Sequence, residues 1–228
     1  MARAGAAPET ADRLDRLLDA LAAEPDPPTT AQTPAEALRS HVADGLSGLE
    51  VAELRAAGRV ADVGAGAGFP GLVLAAALPT ASVDLIESAA RKCAVIDRLI
   101  AAAGIANARS VAERVEEWAG RPPPSGGAGG YDVVTARALG PLALLAEYAA
   151  PLLSGGGVLV AWKGARSPAE EAAAASAGAV VGMQVEEARP VRPFPEARNR
   201  HLYVLRKVAP TPARFPRRPG AARKRPLG

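Results

Sequence analysis

Hydrophobic positions along the chain recur with two periods, and the pattern switches between them many times. Leu14, Leu17, Leu18 and Leu21 stand at i, i+3, i+4 and i+7, so residues 11–23 read as an amphipathic helix. Residues 1–10 carry no such pattern and are expected to be disordered. Pro25-Asp26-Pro27-Pro28 ends the helix. Thr33 as N-cap and Pro34 at the first helical position open a second helix over 34–46. Residues 49–57 form a short helical stretch. From residue 60 onward, short apolar runs alternate with helical stretches. The runs predict strands at 60–63, 82–87, 107–111, 131–136, 158–162, 179–187 and 199–207. The stretches predict helices at 69–77, 89–103, 115–118, 141–153 and 168–177. This alternation implies an α/β fold with a doubly wound, mostly parallel sheet. No helical pattern separates the last two strands, so the final strand is expected to run antiparallel. The boundaries fall into a helical cap over 1–57, an α/β domain over 58–208 and a tail over 209–228.

The first strand breaks into Gly64-Ala65-Gly66-Ala67-Gly68, and Phe69-Pro70-Gly71 follows as the opening of a helix. Glycines allow positive φ and let a ligand approach the main chain. A helix N-terminus adds unpaired N–H groups. Gly66, Gly68 and Gly71 satisfy the G-x-G-x-x-G of dinucleotide enzymes, so a nicotinamide-dependent oxidoreductase is one reading. Counted from the strand end, however, the pattern is Asp62-x-Gly64-x-Gly66-x-Gly68. That looks like the first motif of S-adenosylmethionine (SAM) methyltransferases, and a hairpin ending belongs to their fold and not to the dinucleotide fold. A non-catalytic nucleotide- or RNA-binding protein of the same fold is a third reading.

Composition narrows the class. No apolar run approaches the ~20 residues of a membrane span. The N-terminal residues show no signal-peptide pattern, so a cytoplasmic protein is expected. The chain has one cysteine, Cys93, and two histidines, which argues against disulfides and against a zinc site. Net charge is +3, yet residues 209–228 carry six basic and no acidic residues, which leaves the rest at −3. A basic tail on a mildly acidic body suits a polyanionic partner, or is a solvated tail. Residues 121–130, RPPPSGGAGG, read as a flexible loop.

In doubly wound sheets the ligand lies beyond the carboxyl ends of the strands, beside the first strand. Glu87 ends the second strand, where a carboxylate accepts hydrogen bonds from a ribose diol; the alternative is an exposed strand-end acid. Val115 and Glu116 follow the third strand and are placed either for an adenine ring or as a capping and surface-charge cluster. Arg137 follows the fourth strand and would pair with a carboxylate or phosphate, unless it is a surface arginine. The crevice is expected to be built from strands one to four without the tail, whose Phe215, Pro216 and Pro219 either pack on the body or leave it solvated. The residues after strand four, Thr135-Ala136-Arg137-Ala138, lack the D/N-P-P-Y/F box used to methylate exocyclic amines. Cys93 lies inside a helix and reads as a packing residue, not as the nucleophile that pyrimidine C5 methylation needs. That leaves an acceptor with a free lone pair, such as a ring nitrogen; guanine N7 is one. Such an acceptor needs no base, so no catalytic side chain is singled out.

Together, Asp62–Gly71, Leu85-Ile-Glu-Ser88 with Arg91-Lys92, Arg114–Glu117, Ala136-Arg-Ala138, Trp162-Lys-Gly164, Arg200-His-Leu202 and Phe215-Pro-Arg-Arg-Pro-Gly220 resemble the ribosomal RNA small subunit methyltransferase G family, also called glucose-inhibited division protein B. The matching stretches run from strand one to the C-terminus. His41-Val-Ala-Asp44 is similar to that family's H-x-x-D-S helix end, with Gly45 in place of the serine. The resemblance implies a class I, Rossmann-like SAM-dependent methyltransferase that modifies guanine N7 in 16S rRNA, in the decoding-region loop. The partner would be 16S rRNA, the 30S subunit or an assembly intermediate. It also implies SAM contacts at Gly64, Phe69, Val115, Glu116 and Arg137, beside the Gly66 and Glu87 positions read from the turn and the strand end.

Overall fold

The computed structural model describes residues 8–227. Helix α1, Pro8–Ala23, leads into the N-terminal helices: α2 (Pro34–Ala37), a π-helical turn over Leu38–Ala43, α3 (Asp44–Leu46), a 3-10 turn and α4 (Ala52–Ala56). The Thr33 hydroxyl accepts the Glu36 N–H and caps α2. The predicted second helix is therefore continuous, but its middle is wound as a π turn, which no periodicity announces. Helix α1 starts at Pro8, so only residues 1–7 of the segment expected to be disordered lie outside the described residues.

Seven strands follow: β1 (Arg59–Val63), β2 (Ser82–Ile86), β3 (Ala108–Val111), β4 (Tyr131–Arg137), β5 (Leu153–Lys163), β6 (Met183–Val191) and β7 (Arg200–Lys207). Between them lie α5 (Gly71–Ala77), α6 (Ala90–Ala103), α7 (Val115–Trp118), α8 (Leu142–Ala149) and α9 (Pro168–Val181), and α10 (Ala221–Lys224) closes the chain. The sheet order is β3-β2-β1-β4-β5-β7-β6. Strands β1 to β5 pair in parallel, and β7 is antiparallel to both β5 and β6, as expected for the last strand. The order reverses between β1 and β4, the point where such sheets open a crevice.

Strand residues alternate between two apolar layers. Val60, Val158, Val160, Leu202 and Val204 face α1, α5, α6 and the N-terminal helices. Ala61, Val63, Leu159, Ala161 and Leu205 face α7, α8 and α9. A sheet covered on both faces explains why its strands read as short unbroken apolar runs. Trp162 on β5 locks the N-terminal helices down: its Nε1–H donates to Asp44 O at 2.8 Å, and a Cβ on Gly48 would lie 2.5 Å from its ring.

Several boundaries differ from the sequence reading. Residues 179–181, assigned to strand six, complete α9, which buries Ala174, Ala177 and Val181; Gly182, at φ 82°, ends the helix. The strand then runs on to Val191. Helix α8 stops at Ala149, and 154–157 lies within β5, not in a free turn. Helix α5 begins at Gly71, with Pro70 as its cap. The loop at 121–130 is tied back, with Gly127 N–H donating to Trp118 O at 2.9 Å and Ala128 N–H to Arg121 O at 2.9 Å.

Candidate active site

The cleft begins where β1 ends. Gly64, Gly66 and Gly68 have φ of 68°, 60° and 93°, a region that L side chains avoid. A Cβ would lie 2.5 Å from Leu139 at Gly64 and 2.5 Å from Leu72 at Gly68, so packing excludes side chains there too. At Gly66 nothing lies nearer than Gly64 O at 3.9 Å, and this glycine presents bare backbone to the cleft. Asp62 pins the turn from below. Its Oδ2 accepts the Gly71 N–H at 3.0 Å and its Oδ1 accepts the Thr135 hydroxyl at 2.8 Å. Burial raises its pKa to about 6, against those two hydrogen bonds and the charge of Arg137. Gly71 is thus a packing glycine at the helix start, wedged against Leu85 and Asp62.

Glu87 follows β2 and is buried. Its Oε2 accepts the Gly66 N–H at 3.1 Å, its Oε1 accepts the Ala89 N–H at 2.9 Å, and Lys92 Nζ lies 4.0 Å away. Val115 and Glu116 open α7 after β3. Glu116 is buried rather than a surface charge; its Oε1 accepts the Gly220 N–H at 2.8 Å and its Oε2 lies 3.9 Å from Arg114 Nε.

Arg137 ends β4 and reaches the N-terminal helices instead of solvent. Its guanidinium donates to Ser40 O, to Asp44 Oδ2 at 3.1 Å and to His41 Nδ1 at 3.0 Å. Arginine has no acceptor, so His41 Nδ1 is unprotonated and Nε2 carries the proton, donated to Thr29 Oγ1 at 2.7 Å. Burial and the Arg137 charge lower the imidazole to about 4, so it is neutral at pH 7. Its ring stacks on Phe69, with centroids 4.3 Å apart and planes 10° from parallel.

All seven positions singled out from the sequence line one cleft of about 860 Å³. Thr29, His41, Tyr148 and Arg223 line it as well. Thr29, His41 and Arg223 lie outside the α/β unit; the His-x-x-Asp resemblance pointed to His41, and no pattern pointed to Thr29. A smaller hollow of about 230 Å³ adjoins the cleft through Arg137 and Ala138, walled by Trp162, Lys163, Arg200 and His201. Cys93 lies outside both, buried on α6, with its thiol donating to Glu87 O at 3.2 Å. Among the described residues no His, Cys, Asp and Glu cluster suits a metal, and no helix is long and apolar enough to cross a membrane. The tail does not stand apart from the crevice. Arg217 holds the buried Glu147 through both carboxylate oxygens, Phe215 is buried, and Arg223 reaches the cleft wall.

Comparison with known proteins agrees with this architecture. Similar solved structures include a cofactor-bound Rv0187 from MTB (20% identity, 92% of this chain and 94% of that one, TM-score 0.56). A SAM-dependent O-methyltransferase from Thermotoga maritima is another (15% identity, 86% and 72%, TM-score 0.55). At that identity they show the fold alone. Curated relatives called ribosomal RNA small subunit methyltransferase G are closer in sequence. That of Rubrobacter xylanophilus is 41% identical over 85% of this chain and 74% of its own length. That of Symbiobacterium thermophilum is 38% identical over 87% and 82%. The family model described as rRNA small subunit methyltransferase G matches residues 28–202. The chain belongs to the rRNA small subunit methyltransferase G family.

Proposed function

We propose that this protein transfers a methyl group from SAM to N7 of a guanine in 16S rRNA, in the decoding-region loop, on the free rRNA, the 30S subunit or an assembly intermediate in the cytoplasm. The observation that carries the reading is the convergence, at the β1/β4 switch point, of bare glycine backbone, a strand-end carboxylate and a strand-end guanidinium around one cleft. These groups fit SAM. Glu87 would accept from the ribose hydroxyls, Val115 and Glu116 would meet the adenine, and Arg137 would face the methionine carboxylate. Gly64, Gly66 and Phe69 would form the floor. Family membership leaves the nicotinamide reading without support.

When bound, SAM supplies an electrophilic methyl on a sulfonium. N7 of guanine has a lone pair and no proton to lose, so orientation suffices. The cleft is built accordingly. The imidazole of His41 is engaged at both nitrogens, and Glu87 and Glu116 each accept backbone N–H groups, so these side chains hold geometry instead of taking protons. The hollow beyond Arg137, edged by Lys163 and Arg200, is the natural approach for the acceptor nucleotide and its phosphates. Labelled SAM incubated separately with naked 16S rRNA, with 30S subunits and with assembly intermediates tests this, with the modified base mapped by chain cleavage at N7-methylguanine. Label recovered at another atom, or in none of the three substrates, overturns the reading.

A further inference from the structure

The last dozen residues do something that neither their charge nor the strand-based crevice accounts for. The chain leaves β7, crosses the α7–α8 seam and is latched there. Arg217 Nε donates to Glu147 Oε1 at 2.6 Å, its Nη2 to Glu147 Oε2, and the same Nη2 to Arg225 O at 2.9 Å, which ties both ends of the segment to one buried carboxylate. Ala222, almost fully buried, fills a small apolar cluster with Leu144 and Tyr148, against which Val115 and Leu139 pack. Gly220, at φ 78°, turns its N–H onto Glu116 Oε1 at 2.8 Å. That conformation favours glycine, and it aims a backbone donor at the side chain expected to meet adenine.

A carboxylate at the end of a short helix has rotamer freedom, and one held by a single oxygen loses it. With Oε1 held by Gly220, the carboxylate is fixed in the cleft lining, and Oε2, 3.9 Å from Arg114 Nε, carries no hydrogen bond among the described residues. We propose that the segment from Phe215 to Lys224 is an adenine-side strap: it positions Glu116 so that one carboxylate oxygen receives the exocyclic amine of the cofactor's adenine, and thereby sets the preference for adenine over a 6-oxo purine. Gly220 and Arg217 are positioning residues, acting through Glu116 and Glu147. This rests on the assignment of Glu116 to adenine made above.

Titration calorimetry with two probes tests it: S-adenosylhomocysteine, and S-inosylhomocysteine, which replaces the amine with a carbonyl that would face Glu116. The full chain should prefer the adenosyl compound by at least about tenfold, the size of one hydrogen bond to a charged group. A chain ending at Arg214 should lose most of that preference, chiefly through weaker binding of the adenosyl compound. Arg217→Gln combined with Glu147→Gln cuts the latch without stranding a buried charge, and should move the ratio the same way in a chain of full length. If the full chain discriminates and both variants keep the same ratio, whether affinities are unchanged or fall equally for both compounds, the strap is only a wall and the proposal is wrong. If the full chain itself binds both compounds alike, the assignment of Glu116 fails first, and the strap's role falls with it.

Discussion

At the scale of single residues, the carboxylates of this site are distinguished by what they already hold. Glu87 has a backbone N–H on each oxygen and faces the cleft. Glu87→Ala should weaken SAM binding by about 1–3 kcal/mol, the cost of unmade charge-assisted bonds, and an unchanged dissociation constant by calorimetry would remove it from the site. Asp62 is enclosed, and its folded pKa of about 6 lies above the ordinary aspartate value of 3.8. The folded chain therefore holds more protons than the unfolded chain between those values, and stability falls as pH rises from about 4 to about 6. Asp62→Asn has no proton to lose. Relative to that variant, the parent should lose roughly 2–3 kcal/mol across the window. Melting curves at pH 4, 5, 6 and 7 check this; two parallel curves would show that Asp62 titrates normally. The turn glycines and Glu87 were legible because the strand end fixes where a ligand must lie. The packing reason for Gly64 was not: Leu139, the side chain a Cβ would strike, is 75 residues away in sequence. Gly64→Val therefore disturbs the cleft wall as well as the backbone.

At the scale of elements, period and β-branching located the central strands β1, β2, β4, β5 and β7 because both of their faces are largely buried, while the edge strand β6, half exposed along its length, was placed four residues early. Both signals failed in alanine-rich stretches. Residues 168–177 read as helix and 179–181 as the start of a strand, whereas α9 runs on to Val181, which is buried. The π turn at Leu38–Ala43 was invisible for a related reason, since its sequence reads as ordinary helix. That turn delivers His41 to Arg137 and Thr29. With a folded pKa of about 4 against the ordinary histidine value of 6.5, His41 contributes stability that is present above pH 6.5 and lost as pH falls toward 4. Between pH 6.5 and 5 the parent should lose about 2 kcal/mol relative to His41→Gln. Equal acid sensitivity of the two proteins in denaturant melts would contradict it.

At the scale of the molecule, the basic residues divide by task. Arg217 latches the tail onto Glu147 and Arg223 lines the cleft, whereas Arg218 and Lys224 are exposed and do not line it. Composition could not make that division, because the contacts that recruit Arg217 and Gly220 span 70 and 104 residues. Arg218→Ala with Lys224→Ala should weaken rRNA binding and lower the salt slope by about 1.5 to 2, with SAM affinity unchanged. A filter-binding series over ionic strength reads both, and an unchanged slope would show that neither residue meets phosphate.

The chain has two tryptophans, and the fold gives them different sensitivities. Trp118 is bonded to the Tyr131 hydroxyl in the layer beneath α8 and α9, far from the N-terminal helices in the sheet's two-layer arrangement. Trp162 is covered by those helices, with its indole N–H on Asp44 O. Its fluorescence is therefore a built-in optical gauge of their seating: release of the helices exposes one indole to water and shifts its emission to the red, while the other keeps its colour. With Trp118→Phe as background, a stopped-flow trace of that shift on mixing with acid, SAM or RNA would time the opening of the N-terminal region without any label.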